Sequence, residues 1–165
     1  MRRTMSALVV VAWVAIGAAY VHAQARPGFS GTWVLNQDRS SFQPQANRPT
    51  RRVVTLEVQG DDVTHTTETN RTVFLDVEPF QEVSTTRVTY AAKFDGREVA
   101  VPNSSARVTL KRLNASTFER KGTTGKASET GTWALSPEGN TLTVTTRGMD
   151  EYGMAYESVQ VYERQ

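Results

Sequence analysis

The sequence predicts an all-β domain, and three patterns support that prediction. Stretches of alternating apolar and polar residues recur about every 8–12 residues, the spacing of strands in β-sandwiches and β-barrels. Most are joined by short turn signals such as Asp95-Gly96, and no apolar periodicity of helical length is present. Short hairpins favour an up-and-down order, and closing such a meander protects its edges. We therefore expect a single antiparallel up-and-down β-barrel of about 8–10 strands, with an open sandwich as the alternative.

The start of the chain has the features of a secretory signal peptide. Arg2 and Arg3 precede a nearly continuous apolar run, Leu8 to Ala19, and small residues allow cleavage after Ala23 or Ala25. The run is shorter than the ~20 residues that a spanning helix needs. We therefore expect residues 1–25 to be removed and no membrane insertion to follow.

Residues 26–165 have the size of one barrel domain. The whole chain has 19 basic and 17 acidic residues, and removing Arg2 and Arg3 leaves 17 of each. A neutral domain gives no electrostatic reason to expect nucleic acid as a partner. The chain has no cysteine, which excludes disulfides, thiolate metal sites and a lipid-modified cysteine at the cleavage point. We expect a protein that is free in the periplasm or secreted.

Each strand is predicted from alternation between two turn signals, and threonine-rich stretches suit strands as well. The predicted strands, in order, are Phe29–Asn36, Arg52–Gln59, Val63–Thr72, Ser84–Phe94, Arg97–Val101, Ala106–Leu113, Thr117–Thr123, Ala127–Leu135, a strand around Leu142 and Val144, and Met154–Tyr162, with a short apolar run at Val73–Leu75.

The segment Gln37–Thr50 is predicted to be a loop. It contains Pro44 and Pro49, which lack the N–H that a sheet ladder needs. A short helical turn after Asn36 is an option. Long loops in compact domains are often lids or binding loops.

The two ends of the domain carry a family resemblance. Phe29, Gly31, Trp33 and Leu35 form a Phe-x-Gly-x-Trp-x-Leu strand, and Val161 to Arg164 read Val-Tyr-Glu-Arg. Both motifs resemble those of the calycins, the lipocalins and fatty-acid-binding proteins. The resemblance implies a barrel whose floor is closed by Gly31, Trp33 and Arg164, with the Arg164 guanidinium stacked on the Trp33 ring.

A second resemblance is to secreted bacterial lipocalin-like proteins of unknown role. Those proteins begin Ser-Gly-Thr-Trp-x-Leu-Asn, as residues 30–36 do here, and carry a Trp-x-Leu-Ser-Pro-x-Gly hairpin, which Trp133 to Gly139 match.

The fatty-acid head-group site does not carry over from the resemblance. Fatty-acid-binding proteins hold a carboxylate with an Arg-x-Tyr pair in the last strand and a second internal arginine. Tyr162 matches the tyrosine, but Gln160 stands at the arginine position, and no arginine lies near Trp133 to Leu135. Because glutamine does not replace a bidentate cation, we expect an uncharged ligand.

The inward face of the barrel supplies the candidate ligand-binding residues, each of which could equally be ordinary core. They are Tyr90, Trp133, Leu142, Val144, Tyr156, Gln160 and Tyr162. Small barrels of this kind hold one small ligand. The function expected from the sequence is a secreted lipocalin-like, lipid-binding type of carrier for a small, mostly apolar molecule. The alternative is a solid barrel that binds or inhibits another secreted protein through the Gln37–Thr50 loop and the Asp95-Gly96 hairpin.

No catalytic constellation is recognisable, so an enzyme is not expected. His65 is the single histidine after cleavage, which excludes a multi-histidine metal site and leaves only a singly ligated haem open. The carboxylates at Asp61-Asp62 belong to a turn, and Gly122 to Gly125 lacks the Lys-Ser/Thr of a phosphate loop. No cofactor and no metal are therefore expected.

Overall fold

Ten antiparallel strands form the domain in the computed structural model, which describes residues 28–74, 76–78 and 81–165. The strands are β1 (Gly31–Gln43), β2 (Arg51–Gln59), β3 (Asp62–Phe74), β4 (Gln81–Lys93), β5 (Asp95–Ala100), β6 (Arg107–Asn114), β7 (Thr117–Thr124), β8 (Ala127–Leu135), β9 (Thr141–Met149) and β10 (Ala155–Arg164). A 3₁₀ turn, Gln45–Asn47, follows β1. Within those ranges no helix is long and apolar enough to cross a membrane. The predicted signal peptide lies outside the described residues.

The sheet is a nearly closed up-and-down barrel, as the sequence predicted. Its order is β4-β3-β2-β1-β10-β9-β8-β7-β6-β5, so the first and last strands are neighbours and every other neighbour is consecutive in the chain. Trp33 lies opposite Arg164 in the β1–β10 pair. The seam between β4 and β5 is bridged near the floor, where the Phe94 N–H donates to the Asp61 carbonyl and the Arg112 N–H donates to the Phe94 carbonyl.

The prediction of a loop after Asn36 is wrong for Gln37–Gln43, because these residues belong to β1. The register on β10 shifts between Asn36 and Ser41, and the strand then resumes. Within the bulge, the Ser40 hydroxyl donates to the Asn36 carbonyl (2.6 Å) and accepts the Val161 N–H (2.9 Å). The bulge satisfies the polar groups that the shift would leave unpaired, and it returns Phe42 to the interior.

The floor of the barrel is filled with aromatic side chains. The Phe118 ring lies 4.9 Å from Phe29, 5.0 Å from Phe94 and 5.3 Å from Trp133, measured between centroids. Trp33 and Phe118 have no exposed surface. Burying each such ring stabilises the fold by about 1.5–3 kcal/mol, so this end of the barrel is a solid core.

The opposite end is open. The β3–β4 hairpin extends past the barrel rim there, and Val73, Phe74, Val77 and Val83 on or beside it are exposed. The outer half of β4 pairs with β3 on one side only. The ligand-accessible part of the interior is therefore at this end.

Candidate ligand-binding site

A cavity of about 810 Å³ occupies the open end of the barrel. It lies between β2 and β3 on one side and β8, β9 and β10 on the other. Its lining residues are Phe42, Gln43, Pro44, Asn47, Arg52, Arg71, Glu129, Thr146, Arg147, Gly148, Asp150, Met154, Ala155, Tyr156, Glu157, Ser158 and Gln160. Most of these side chains are polar or charged, unlike those of the floor.

Two glycines, Gly122 on β7 and Gly148 on β9, leave space for the polar side chains of the interior. A Cβ atom on Gly148 would lie 2.7 Å from the Tyr156 ring and would collide with the Ser128 carbonyl. A Cβ atom on Gly122 would lie 3.1 Å from a Glu129 carboxylate oxygen. Glycine at these positions therefore lets the Glu129 and Tyr156 side chains fold inward.

Arg120, Glu129, Tyr156 and Tyr90 form a connected polar network beside the cavity. The Arg120 guanidinium pairs with one Glu129 oxygen and donates through Nε to the Tyr90 hydroxyl (3.0 Å). The Tyr156 hydroxyl donates to the second Glu129 oxygen (3.1 Å). The network separates the main cavity from a smaller one of about 210 Å³, and Glu129 and Tyr156 line both.

The pKa values in this network show which charges are stable. Burial acts to raise the pKa of Glu129, but Arg120 and the Tyr156 hydrogen bond outweigh it and lower the pKa. Burial raises the pKa of Tyr156, and the Glu129 charge raises it further. Glu129 is therefore an anion neutralised by Arg120, and Tyr156 is a neutral donor.

Arg52 extends from β2 to the polar residues of β10. Its Nη1 donates to the Gln160 side-chain oxygen (2.8 Å), and its Nε donates to the Thr69 hydroxyl (3.1 Å). The Tyr162 hydroxyl donates to the same Gln160 oxygen (2.7 Å). An arginine at position 160 has no acceptor atom and could not receive these two bonds. In this chain the guanidinium beside Tyr162 is that of Arg52, on β2.

His65 lies below the cavity, and neither of its ring nitrogens has a hydrogen-bond partner among the described residues. Its ring stacks on Tyr90 at 4.8 Å and meets Trp133 edge-on at 5.5 Å. Burial lowers the pKa of His65 to about 3, and the Arg120 charge adds to this effect. His65 is therefore a neutral member of the core at ordinary pH.

The predicted ligand-binding residues divide into two groups. Tyr156 and Gln160 line the cavity. The other five are buried in the packed interior and do not line it: Tyr90, Trp133, Leu142, Val144 and Tyr162. All seven point inward. The alternation of apolar and polar residues predicts that direction, but it does not distinguish the packed part of the interior from the part that contains the cavity.

The three residues assigned to barrel closure are in contact at the floor. The Arg164 guanidinium lies 4.2 Å from the Trp33 ring centroid and donates to the carbonyls of Ser30, Gly28 and Gly139. The Trp33 indole N–H donates to the Phe29 carbonyl (3.0 Å). Gly31 has a φ of +145°, and a Cβ atom there would lie 2.6 Å from an Arg164 nitrogen.

None of the charged residues that line the cavity was predicted. Four charged residues have inward positions on the strands there or in the network beside it: Arg52, Arg71, Arg120 and Glu129. A signal for them was present, because each shares strand parity with buried residues. Arg52 is two residues from Val54, and Glu129 is four from Trp133. Side chains two or four residues apart on a strand point to the same face, so a charged residue at that spacing from buried residues is expected to point inward.

In the described part of the chain, no group of three or more His, Asp or Glu residues could hold a metal ion.

Comparison with solved structures gives two neighbours of the whole barrel. A Schistosoma mansoni fatty-acid-binding protein in complex with arachidonic acid matches with a TM-score of 0.54 and 16% identity, over 83% of this chain and 96% of that one. The fluorescent protein UnaG matches with a TM-score of 0.49 and 14% identity, over 83% and 97%. No family model and no curated protein matches the sequence. At this identity the likeness establishes the fold, that of a fatty-acid-binding protein.

Proposed function

We propose that this protein is a small-molecule-binding barrel whose ligand occupies the cavity at the open end. The observation that carries the proposal is the cavity itself: about 810 Å³, open to solvent, in a barrel whose floor is packed solid. Cavities of this size suit small organic molecules. The neighbour with the same fold was solved with a fatty acid bound, which supports a ligand-binding barrel here.

The proposed ligand is amphipathic rather than mostly apolar. Phe42, Pro44 and Met154 provide apolar contact on the cavity wall. Most of the other wall residues are polar or charged. Of the four aromatic residues expected to contact the ligand, Tyr156 lines the cavity, whereas Tyr90, Trp133 and Tyr162 belong to the core. A ligand without polar groups would desolvate Arg52 and Arg71 of the wall without offering them an acceptor.

The alternative, a solid barrel that acts on another protein through its loops, has less support. Its premise is the absence of a cavity. One of its two proposed contacts, Asp95-Gly96, lies at the floor end, and part of the other, Gln37–Gln43, is paired within β1.

We further propose that the protein is exported and acts in the periplasm or outside the cell. This proposal rests on the sequence of residues 1–25. Fractionation of the host, with mass spectrometry of the mature N-terminus, tests it. We expect a protein that begins after Ala23 or Ala25; an uncleaved chain in the cytosolic fraction contradicts the proposal.

A matched pair of substitutions on β9 tests the binding site. Thr146 points into the cavity, whereas Thr145 points to solvent. With the uncharged probe N-phenyl-1-naphthylamine, we expect Thr146→Trp to weaken binding at least about tenfold. Thr145→Trp should leave it unchanged. Equal affinity for both variants, or no binding to the wild-type protein, contradicts the proposal.

A further inference from the structure

Resting on the proposed function, we propose that Arg52 and Arg71 bind an oxyanion of the ligand, such as a carboxylate, sulfonate or phosphate group. The site is on the β2–β3 side of the cavity mouth. Its arginines come from β2 and β3, whereas the family resemblance implied a head-group arginine on β10, at the position that is Gln160 here.

The two arginines are neighbours on one face of the sheet. Arg52 lies opposite Thr69 in the β2–β3 pair, and Arg71 is two residues further along β3 on the same face. Diagonal neighbours of this kind are within reach of long side chains. Both arginines line the cavity, so their guanidinium groups converge on the same space.

Neither guanidinium has a carboxylate within 4.0 Å among the described residues. Among the described residues, Arg71 donates through Nη1 alone, to the Asn47 carbonyl (3.1 Å), and the hydrogen bonds of Arg52 use Nε and Nη1 but not Nη2. The adjacent Arg51, on the outer face of β2, instead pairs with Glu68 (3.2 Å). Arg52 and Arg71 thus have no ion pair within the described part of the chain, whereas their outward neighbour Arg51 has one.

The carboxylates of the cavity are already occupied by other groups. Glu129 pairs with Arg120, and Glu157 pairs with Arg147. Asp150 accepts the backbone N–H groups of Tyr152 and Met154 in the β9–β10 turn. Of these three acids, Glu129 attracts Arg52 from a distance, since the Arg52 charge helps to lower the Glu129 pKa. Among the described residues, none of the three forms an ion pair with Arg52 or Arg71.

Hydrogen bonds hold Arg52 and Arg71 near each other although their positive charges repel. Burial lowers the pKa of Arg71, and the charge on Arg52 lowers it further. Hydrogen bonds to Gln160, Thr69 and Asn47 nevertheless fix both side chains at the mouth. An oxyanion between them would relieve the repulsion and accept the free N–H groups in the planar geometry that guanidinium favours.

Two fluorescent probes that differ by one anionic group test this site. The probes are 1-anilinonaphthalene-8-sulfonate and its uncharged parent, N-phenyl-1-naphthylamine. The test variants are Arg52→Gln and Arg71→Gln, and Arg51→Gln is the control because it removes a charge from the outer face of the same strand. Circular dichroism and thermal unfolding confirm that each variant folds.

We expect each test variant to weaken sulfonate binding about tenfold or more, since a hydrogen bond to a charged group is lost. Binding of the uncharged probe should stay within about twofold, and Arg51→Gln should leave both probes unchanged. If the wild-type protein binds both probes and the arginine variants do not separate them, the anion site is wrong and the cavity stands. If the wild-type protein binds neither probe, the proposed function fails, and the anion site with it.

Discussion

The two ends of the barrel are built from the same strands but differ in packing, polarity and access to solvent. At the floor, Trp33 and Phe118 are fully buried, and Arg164 joins the end of β10 to the residues just before β1. At the open end, arginines, carboxylates and hydroxyls surround a cavity. One end supplies the stability that lets the other remain hollow and polar.

The difference arises along each strand rather than between strands. On β8, Trp133 lies in the packed part and Glu129 in the polar part of the same inward face. On β7, Phe118 and Arg120 differ by a single inward position. Whether an inward-facing residue belongs to the packed floor or to the polar end therefore depends on its position along the strand.

The largest effect is expected at the floor. Trp33→Ala should lower the free energy of unfolding by about 3–5 kcal/mol, because it leaves a cavity and removes the ring under Arg164. Urea unfolding at neutral pH measures it. Met154→Ala, at the exposed rim of the cavity, is the control and should change stability by less than about 0.5 kcal/mol. Similar losses for both would contradict the contrast between the two ends.

Gly31→Ala should destabilise the floor by about 2–3 kcal/mol, since it strains a positive φ and displaces Arg164 from Trp33. Gly153→Ala separates the two causes. Gly153 also has a positive φ, of +80°, but has open space around it. Thermal unfolding of both variants should give the larger loss for Gly31→Ala, and equal losses would mean that the Arg164 contact contributes nothing.

Acid should destabilise the protein through His65, which lies between the two ends. The folded protein keeps this ring neutral down to about pH 3, whereas the unfolded chain protonates it near pH 6.5. The unfolded state thus binds more protons in that window, so stability falls as the pH falls through it. From about pH 8 to about pH 5 the loss should be about 2 kcal/mol.

The His65→Leu variant isolates this contribution. Because the ring nitrogens have no partner in the part of the chain that the structure describes, an apolar residue leaves no described group unpaired. Urea unfolding of both proteins at the two pH values should show a smaller acid loss in the variant. An identical loss would mean that other groups cause the acid sensitivity.

The smallest effect is expected in the polar network. Glu129→Gln should cost about 1–2 kcal/mol, because Arg120 loses its ion pair but still borders the smaller, water-accessible cavity. Glu68→Gln removes the partner of Arg51 on the outer face and should cost less than about 0.5 kcal/mol. A Glu129→Gln variant as damaged as Trp33→Ala would show that the open end also carries the stability of the fold.

Strand alternation and turn chemistry were enough to predict the barrel class and most strand positions. The loop assigned to Gln37–Gln43 failed because a bulge, held by Ser40, lets a strand resume after a break in alternation. The cavity was predicted less well. Period-two patterns specify which side chains point inward, but whether inward-facing residues touch one another depends on glycines of other strands, such as Gly122 and Gly148.

The seam beside β4 leaves one edge of the sheet open. Above the floor, β4 is paired with β3 alone among the described strands, and β3 is paired with β2 only as far as Asn70. The tip of the β3–β4 hairpin beyond Asn70 is therefore held by its own two strands. Its backbone makes no ladder with the aromatic base, so a substitution at the tip is decoupled from the packing of Trp33 and Arg164.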